Sequence, residues 1–224
     1  MFFKKNGQNF FQKFASREEA GFKLAQVLKS FGIKNNLLVC AIPRGGVQVG
    51  AEIAKELQAR LVTFPVKKIG APENPELAIG AVGPWGKPFF DKPLINVLQI
   101  PQNILKQEVK KARTEVKRRM IDYAVGETDF AQQTVILTDD GVATGSTVIL
   151  AGKLIKSQNP KKLILAVPLA PKSKLADFKK IFDEVVVLLK PADFRAVGQF
   201  YYDFPQVTDE EVKNLLNETN SGVR

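Results

Sequence analysis

Short apolar runs alternate with longer segments of helical periodicity along most of the chain. The runs read LLVCAI (37–42), LVTFPV (61–66), TVILTD (134–139), KLILAVPLA (162–170) and EVVVLLK (184–190). Near-continuous apolar runs are typical of parallel strands, because helices cover both faces of their sheet. The pattern therefore predicts an α/β fold with a mainly parallel, twisted sheet flanked by helices.

The helical segments carry recognisable start and stop residues. Ser16 is a candidate N-cap with Glu19 three residues on, and Gly32 ends that helix. Pro101 suits the first turn of a long basic helix, and Thr208 precedes a closing helix with acidic residues in its first turn. Three further helices are expected at residues 47–58, 145–157 and 173–181.

The segment KKIGAPENPELAIGAVGPWGKPFF (67–90) is dense in Gly and Pro. We expect a mobile loop at residues 69–76 and a β-hairpin at residues 77–90 that turns near residues 83–86. A further strand is expected at residues 95–98.

Composition narrows the chemistry. The 224 residues contain no repeat or flexible linker, so one domain is expected over residues 1–224. The absence of histidine excludes Ser-His-Asp and Cys-His catalysis and the common zinc sites. Cys40, the single cysteine, lies in an apolar run and is expected to be buried and inert. No apolar stretch is long enough to span a membrane, and the N-terminal residues do not resemble a secretory signal, so a cytoplasmic location is expected.

The net charge of +10 favours anionic ligands. Its densest run, KQEVKKARTEVKRR (106–119), has helical spacing with Glu108 and Glu115 interleaved. This spacing is more typical of a solvated helix face than of a nucleic-acid contact, although it does not exclude one.

The most informative segment is TVILTDDGVATGST (134–147). An apolar strand ends in Asp139 and Asp140, and a turn of small residues then leads into a helix. Backbone amides at such a helix start suit a phosphate group, and hydroxyl side chains add donors. The two acids would repel a phosphate, but they could accept hydrogen bonds from ribose hydroxyls or lie near Mg²⁺. A sugar 5-phosphate is therefore the deduced ligand, and the alternative is a plain polar turn.

This segment resembles the phosphoribosyl diphosphate (PRPP) signature of type I phosphoribosyltransferases. The segments AIPRGGVQVGAEIAKEL, VKKIGAPENPELAIGAV and FRAVGQFYYDFPQVTDEEV also resemble, in matching order, a bacterial subfamily of that group whose substrates are poorly defined. The resemblance implies the type I fold, with a core of about residues 16–190 and a C-terminal hood and helix over about residues 191–224. It implies PRPP and a small-molecule acceptor as ligands, Mg²⁺ as cofactor and, as in many relatives, a possible homodimer, for which the hairpin around Trp85 is a contact candidate.

The resemblance also assigns roles. Asp139 and Asp140 would bind the ribose hydroxyls, directly or through Mg²⁺, with or without water between. The pyrophosphate would be held by the turn after the first strand and by a basic residue after the second strand, with Lys68 favoured over Lys67. The 5-phosphate loop comprises Ala143, Thr144, Gly145, Ser146 and Thr147, and the pyrophosphate turn comprises Arg44, Gly45 and Gly46. The four candidate catalytic residues are Asp139, Asp140, Arg44 and Lys68, although Arg44 and the lysines could also be plain surface residues.

The acceptor is less defined. Relatives that salvage hypoxanthine and guanine usually carry an Asp where this chain has Ala143, so a 6-oxopurine is disfavoured. The candidates for stacking on a planar acceptor, which could equally be core residues, are Trp85, Phe200, Tyr201 and Tyr202. Phe194 and Arg195 are candidates for the lip of a hood at residues 191–206.

The function expected from the resemblance is transfer of a phosphoribosyl group from PRPP to a nitrogenous acceptor with release of pyrophosphate. In the expected mechanism Arg44, Lys68 and Mg²⁺ neutralise the leaving group while the acids stabilise positive charge on the ribose. The alternative is a PRPP or nucleotide sensor that binds RNA or a protein and performs no chemistry. Simple hydrolysis of PRPP or a nucleotide is a third possibility.

Overall fold

The computed structural model describes residues 13–32, 36–123 and 126–222. Within these ranges the main sheet has five strands, which are β1 (Leu37–Ala41), β2 (Arg60–Thr63), β6 (Thr134–Thr138), β7 (Lys162–Leu169) and β8 (Glu184–Leu189). All are parallel, and their order across the sheet is β2-β1-β6-β7-β8. The predicted α/β fold with a mainly parallel sheet is confirmed.

A second, three-stranded antiparallel sheet follows β2 in the chain. Its strands are β3 (Lys67–Ala71), β4 (Asn74–Val82) and β5 (Phe89–Phe90), in that order across the sheet.

Seven α-helices and two 3₁₀ turns accompany these sheets in the described residues. The helices are α1 (Arg17–Lys29), α2 (Gly45–Leu57), α3 (Lys92–Val97), α4 (Gln102–Asp122), α5 (Ser146–Lys156), α6 (Leu175–Lys179) and α7 (Asp209–Ser221). The 3₁₀ turns are Lys172–Lys174 and Val197–Phe200. No helix among the described residues is both long enough and apolar enough to cross a membrane.

The core divides between the two faces of the parallel sheet. Alternate residues of β1 and β6 point to opposite faces: Cys40 and Leu137 pack with α5, while Val39 and Ile136 pack with α1, α2 and α7. A separate apolar cluster joins α4 to the antiparallel sheet through Ile69, Ile79 and Val116, among others. The predicted burial of Cys40 is confirmed.

The predicted N-caps of α1 and α7 are confirmed, whereas Pro101 lies one residue before the first-turn position expected for it. The Ser16 hydroxyl accepts a hydrogen bond from the Glu19 amide, and Thr208 forms a reciprocal capping box with Glu211. Pro101 is the residue before the first turn of α4. Capping side chains bond to backbone amides that the first turn of a helix leaves unpaired. Because each cap lies within a few residues of the helix start, the sequence alone predicts it.

The predicted mobile loop at residues 69–76 is wrong. Those residues belong to β3 and β4, which pair across a short turn at Pro72 and Glu73, with an irregular register around Gly70. Gly, Pro and the register shift obscured the alternation that places Ile69, Ala71 and Ile79 in a shared apolar cluster. The hairpin expected at residues 77–90 is present as the pairing of β4 with β5.

The strand predicted at residues 95–98 is also wrong, because this segment lies in α3 and just after it. The Asp91 carboxylate accepts a hydrogen bond of 3.1 Å from the Leu94 amide, and Pro93 stands in the first turn. An N-cap followed by proline is a helix start that the short apolar run concealed.

The segment after β8 returns to the carboxyl edge of the sheet. Phe200 and Tyr201 pack with Leu169 of β7, and Val197 lies against Gly141. The final helix, α7, then packs on α2 and the edge strand β2. Residues 191–206 thus lie near the acid pair, whereas α7 belongs to one of the helical layers.

Candidate functional site

The candidate site lies where two neighbouring strands end. Ala41 of β1 is paired with Thr138 of β6, so the turn at residues 43–46 and the acid pair emerge side by side. A Cβ atom on Gly46 would lie 2.9 Å from the Asp139 Cα, and one on Gly45 would overlap the Asp140 carboxylate. The double glycine therefore allows a backbone approach to both acids that no other residue permits.

The negative charges of Asp139 and Asp140 are only partly balanced by neighbouring groups. The Asp140 amide donates a 2.9 Å hydrogen bond to Asp139 Oδ1. Burial raises the pKa of Asp139 well above its usual value, and the neighbouring Asp140 charge raises it further. Burial also raises the pKa of Asp140, although Arg17 opposes this effect. Two crowded carboxylates of this kind favour a ligand that brings hydrogen-bond donors or a cation.

Arg17, the first residue of α1, is the partner of Asp140. Its Nε donates to Asp140 Oδ2 at 2.8 Å, and its side chain is only 6% exposed. A terminal guanidinium nitrogen donates to the Pro205 carbonyl oxygen at 2.8 Å, and the guanidinium lies 3.7 Å from the Phe204 ring centroid. Arg17 therefore links the first helix, the acid pair and the segment after β8.

Tyr201 holds the same acid from the other side. Its hydroxyl donates a 2.6 Å hydrogen bond to the Asp140 carbonyl oxygen, and its ring stacks on Phe204 at 4.9 Å. Residues near both chain ends thus fix the position of Asp140.

Sequence reasoning missed Arg17. One signal was available: a cation in the first turn of a helix opposes the helix dipole, so its placement there needs another reason. The contact with Asp140 spans 123 positions in the chain, and no local pattern encodes such a distance.

The segment from Ala143 to Thr147 forms the turn into α5. Gly145 has φ +82°, in the left-handed region that favours glycine, and no side chain caps the helix start. The Thr144 and Ser146 hydroxyl oxygens lie 3.3 Å apart, and the Ser146 amide donates weakly to Thr144 Oγ1 at 3.4 Å. The turn thus presents hydroxyls and first-turn amides of α5 directly after the acids.

The basic residues predicted to bind pyrophosphate lie in separate environments. Arg44 lines a cavity beside the C-terminal end of α4. Lys67 Nζ forms a 2.7 Å ion pair with Glu115 of α4, and Lys68 is exposed at the start of β3. In the described residues, no hydrogen bond or ion pair joins either lysine to the acid pair.

The aromatic candidates have different environments. Phe200 and Tyr201 are buried, and Trp85 packs on Phe64 and Phe130. Tyr202 is 78% exposed. Of the two lip candidates, Phe194 packs on Phe200 and Arg195 is exposed. A planar acceptor therefore has little access to three of the four aromatic side chains in this conformation.

The protein offers few ligands for a metal ion. Across residues 13–32, 36–123 and 126–222, no group of three or more Asp, Glu, His or Cys side chains could hold one. The acid pair supplies carboxylate oxygens that suit Mg²⁺, but one of them is already engaged by Arg17. These residues fit a magnesium ion shared with a phosphorylated ligand rather than one held by protein alone.

The fold and this edge define an α/β protein with an acid pair and a small-residue turn at the carboxyl end of its parallel sheet. The family model for the phosphoribosyl transferase domain matches residues 8–205. The chain belongs to the phosphoribosyltransferase family.

The chain is also similar to particular proteins. Two curated proteins of Mycobacterium tuberculosis, from strains CDC 1551 and H37Rv, carry the provisional name phosphoribosyl transferase and are 36% identical over 209 residues. That match covers 92% of this chain and 47% of theirs, so the chain spans about half their length. The crystal structure of TT1426 from Thermus thermophilus is 36% identical with a TM-score of 0.85, over 92% of this chain and 99% of the other.

Proposed function

We propose that this protein binds PRPP at the edge formed by β1 and β6 and transfers its phosphoribosyl group to a nitrogenous acceptor, releasing pyrophosphate. One observation carries the proposal: a part-buried, under-compensated acid pair lies between a close-approaching glycine turn and the open start of α5. Membership of the phosphoribosyltransferase family supports the same donor.

The 5-phosphate would lie at residues 143–147. Its negative charge suits the positive end of the α5 dipole, where first-turn amides lack a side-chain cap. The hydroxyls of Thr144, Ser146 and Thr147 would complete its hydrogen bonds.

The ribose would then face Asp139 and Asp140. Donation from its vicinal hydroxyls would stabilise the ionised carboxylates, whose pKa values burial raises in the free protein. As the bond at C1 breaks, positive charge develops on the ribose, and the same carboxylates would stabilise it. Arg17 would act as a positioning residue that holds Asp140 in place.

The pyrophosphate would lie on the other side of the acids. Gly45 and Gly46 let backbone amides approach, and Arg44 and Lys68 supply positive charge, with Lys67 as a further candidate held by Glu115. Asp139 and Asp140 would hold Mg²⁺, directly or through water, and the ion would supply additional neutralisation of the leaving group.

The test is pyrophosphate release from PRPP and Mg²⁺ across a panel of purine and pyrimidine bases. We expect turnover with at least one base, and a loss of about 100-fold or more in Asp140→Asn, since one transition-state electrostatic contact is worth that much. Arg44→Ala is also expected to lose activity with little loss of fold. The matched control is Asp177→Asn, because the Asp177 side chain is 44% exposed and its one ion pair among the described residues is with Lys180. Unchanged turnover in both site variants would contradict the proposal.

A non-catalytic sensor is the second candidate, favoured by the exposed cations along α4. It predicts PRPP binding without pyrophosphate release for any base, together with a salt-dependent RNA shift. Release of pyrophosphate without a base would instead indicate hydrolysis.

A further inference from the structure

A cavity of about 280 Å³ opens beside the turn that follows β1, on the side of α4. Three elements form it: the turn itself, the C-terminal end of α4 and the start of α7. The charged and polar side chains that line it are Arg44, Arg118, Arg119, Asp122, Tyr123 and Asp209. Its size is near the lower end for ligand sites, which suits a small anion.

The three arginines have no directly bonded partner in the part of the chain that the structure describes. Within the described residues, none of them forms an ion pair or a side-chain hydrogen bond. Two other cations on α4 are engaged: Lys111 pairs with Glu108 at 2.7 Å, and Arg113 donates to the Gly86 carbonyl oxygen.

The carboxylates of the cavity only partly balance this charge. Asp209 accepts a 2.7 Å hydrogen bond from the Tyr123 hydroxyl. Burial raises the pKa of Tyr123 to about 12, with Asp209 contributing, so the phenol stays protonated and this wall is fixed. Guanidinium groups outnumber carboxylates three to two, so the cavity carries a net positive charge that favours an anion.

We propose that this cavity is a phosphoryl subsite, in which Arg118 and Arg119 act together with Arg44. Guanidinium forks match phosphoryl oxygens in a bidentate manner, and Arg44 belongs to the turn assigned above to pyrophosphate. This subsite extends the proposed function and rests on it, because the proposed function is what assigns that turn to pyrophosphate. It also gives a role to the end of the basic run at residues 106–119.

Two sources could supply the phosphoryl group: the diphosphate end of PRPP, or a separate phosphate bound beside it. The first test measures the affinity of inorganic pyrophosphate by calorimetry for the wild type and for Arg118→Gln/Arg119→Gln. We expect the double variant to bind at least tenfold more weakly. Both residues are exposed at the end of α4, and a melting curve checks that the fold is kept.

The matched control is Lys110→Gln/Lys117→Gln, which removes the same charge from exposed positions of α4 outside the cavity. It is expected to change pyrophosphate affinity less than twofold. Asp122→Asn should act in the opposite direction and tighten binding, because it removes a carboxylate that repels the anion. Equal affinities for Arg118→Gln/Arg119→Gln and the lysine control would overturn the proposal.

The second test separates the sources. If the cavity takes the diphosphate of PRPP, the arginine variant loses PRPP affinity tenfold or more while ribose 5-phosphate binds as in the wild type. If it takes a separate phosphate, inorganic phosphate still binds to wild type saturated with PRPP, and the arginine variant loses that event. A wild type that binds pyrophosphate but not PRPP would contradict the proposed function and leave the subsite standing.

Discussion

Asp139 and Asp140, which we propose bind the ribose, carry charges that oppose the stability of the free protein. Each carboxylate is partly removed from water, and together they have one close cationic partner, Arg17. Buried, poorly paired carboxylates are typical of sites where a ligand completes their interactions. Without that ligand, we expect the protein to be less stable than a variant that lacks one of these charges.

Asp139→Asn is therefore expected to stabilise the free protein while abolishing PRPP binding. Burial raises the folded pKa of Asp139, so the folded state binds more protons than the unfolded state between the two pKa values. Stability of the wild type thus falls as pH rises through that window, and the Asn variant lacks this loss. The gain should grow as pH rises through that window, and urea unfolding at several pH values measures it.

Asp177→Asn is the control, because the pKa of this exposed acid is lowered, chiefly by its hydrogen bond with Lys180. Relative to the wild type, Asp177→Asn should not gain stability as pH rises. A stability difference between wild type and Asp139→Asn that is independent of pH would contradict the argument.

Arg17→Gln is expected to destabilise the protein by about 3 kcal/mol, because it leaves Asp140 buried without its partner. The same substitution in an Asp140→Asn background should cost less, since no charge is then left unpaired. A double-mutant cycle by urea unfolding measures this coupling, expected at about 1–3 kcal/mol. Strictly additive effects would show that Arg17 acts through its contacts with Gln48, Phe204 and Pro205 and not through Asp140.

At the scale of the elements, α7 protects the outer edge of strand β2, a role that no sequence motif predicted. The Asn220 side chain donates to the Leu61 carbonyl oxygen and accepts from the Leu61 amide, both at 2.9 Å. It thereby replaces a strand neighbour at the outer edge of β2, where exposed backbone groups would otherwise be a template for association.

Asn220→Ala is expected to cost about 1–2 kcal/mol, because two part-buried hydrogen bonds are lost. Asn217→Ala, on an exposed position of the same helix, is the control and should change stability by less than about 0.5 kcal/mol. Thermal or urea unfolding compares the two. Equal effects would mean that the loss reflects helix propensity and not the link to β2.

At the scale of the whole molecule, binding of PRPP should raise the free energy of unfolding. Binding to the folded state alone stabilises it by about 2.7 kcal/mol when free PRPP is at 100 times its dissociation constant. For a chain of this length that corresponds to a rise in melting temperature of about 5–10 °C. The measurement is thermal unfolding with PRPP and Mg²⁺, with Asp140→Asn as the variant expected to show almost no shift. The same rise in both proteins would indicate non-specific anion binding.

The sequence by itself determined the parallel sheet, most of its helices and the identity of the acid pair and the small-residue turn. These features are local: strand runs, caps and the order of residues after β6 are encoded within a few positions of one another. The segments at residues 69–76 and 95–98 were predicted wrongly because Gly, Pro and short apolar runs fit several local conformations.

Only the tertiary structure decided which distant side chains meet. The pairing of Arg17 with Asp140, the bridge from Asn220 to Leu61 and the cavity shared by Arg44, Arg118 and Arg119 all join separate elements. Their geometry follows from how the elements pack, and packing depends on burial summed over the whole chain rather than on any local pattern.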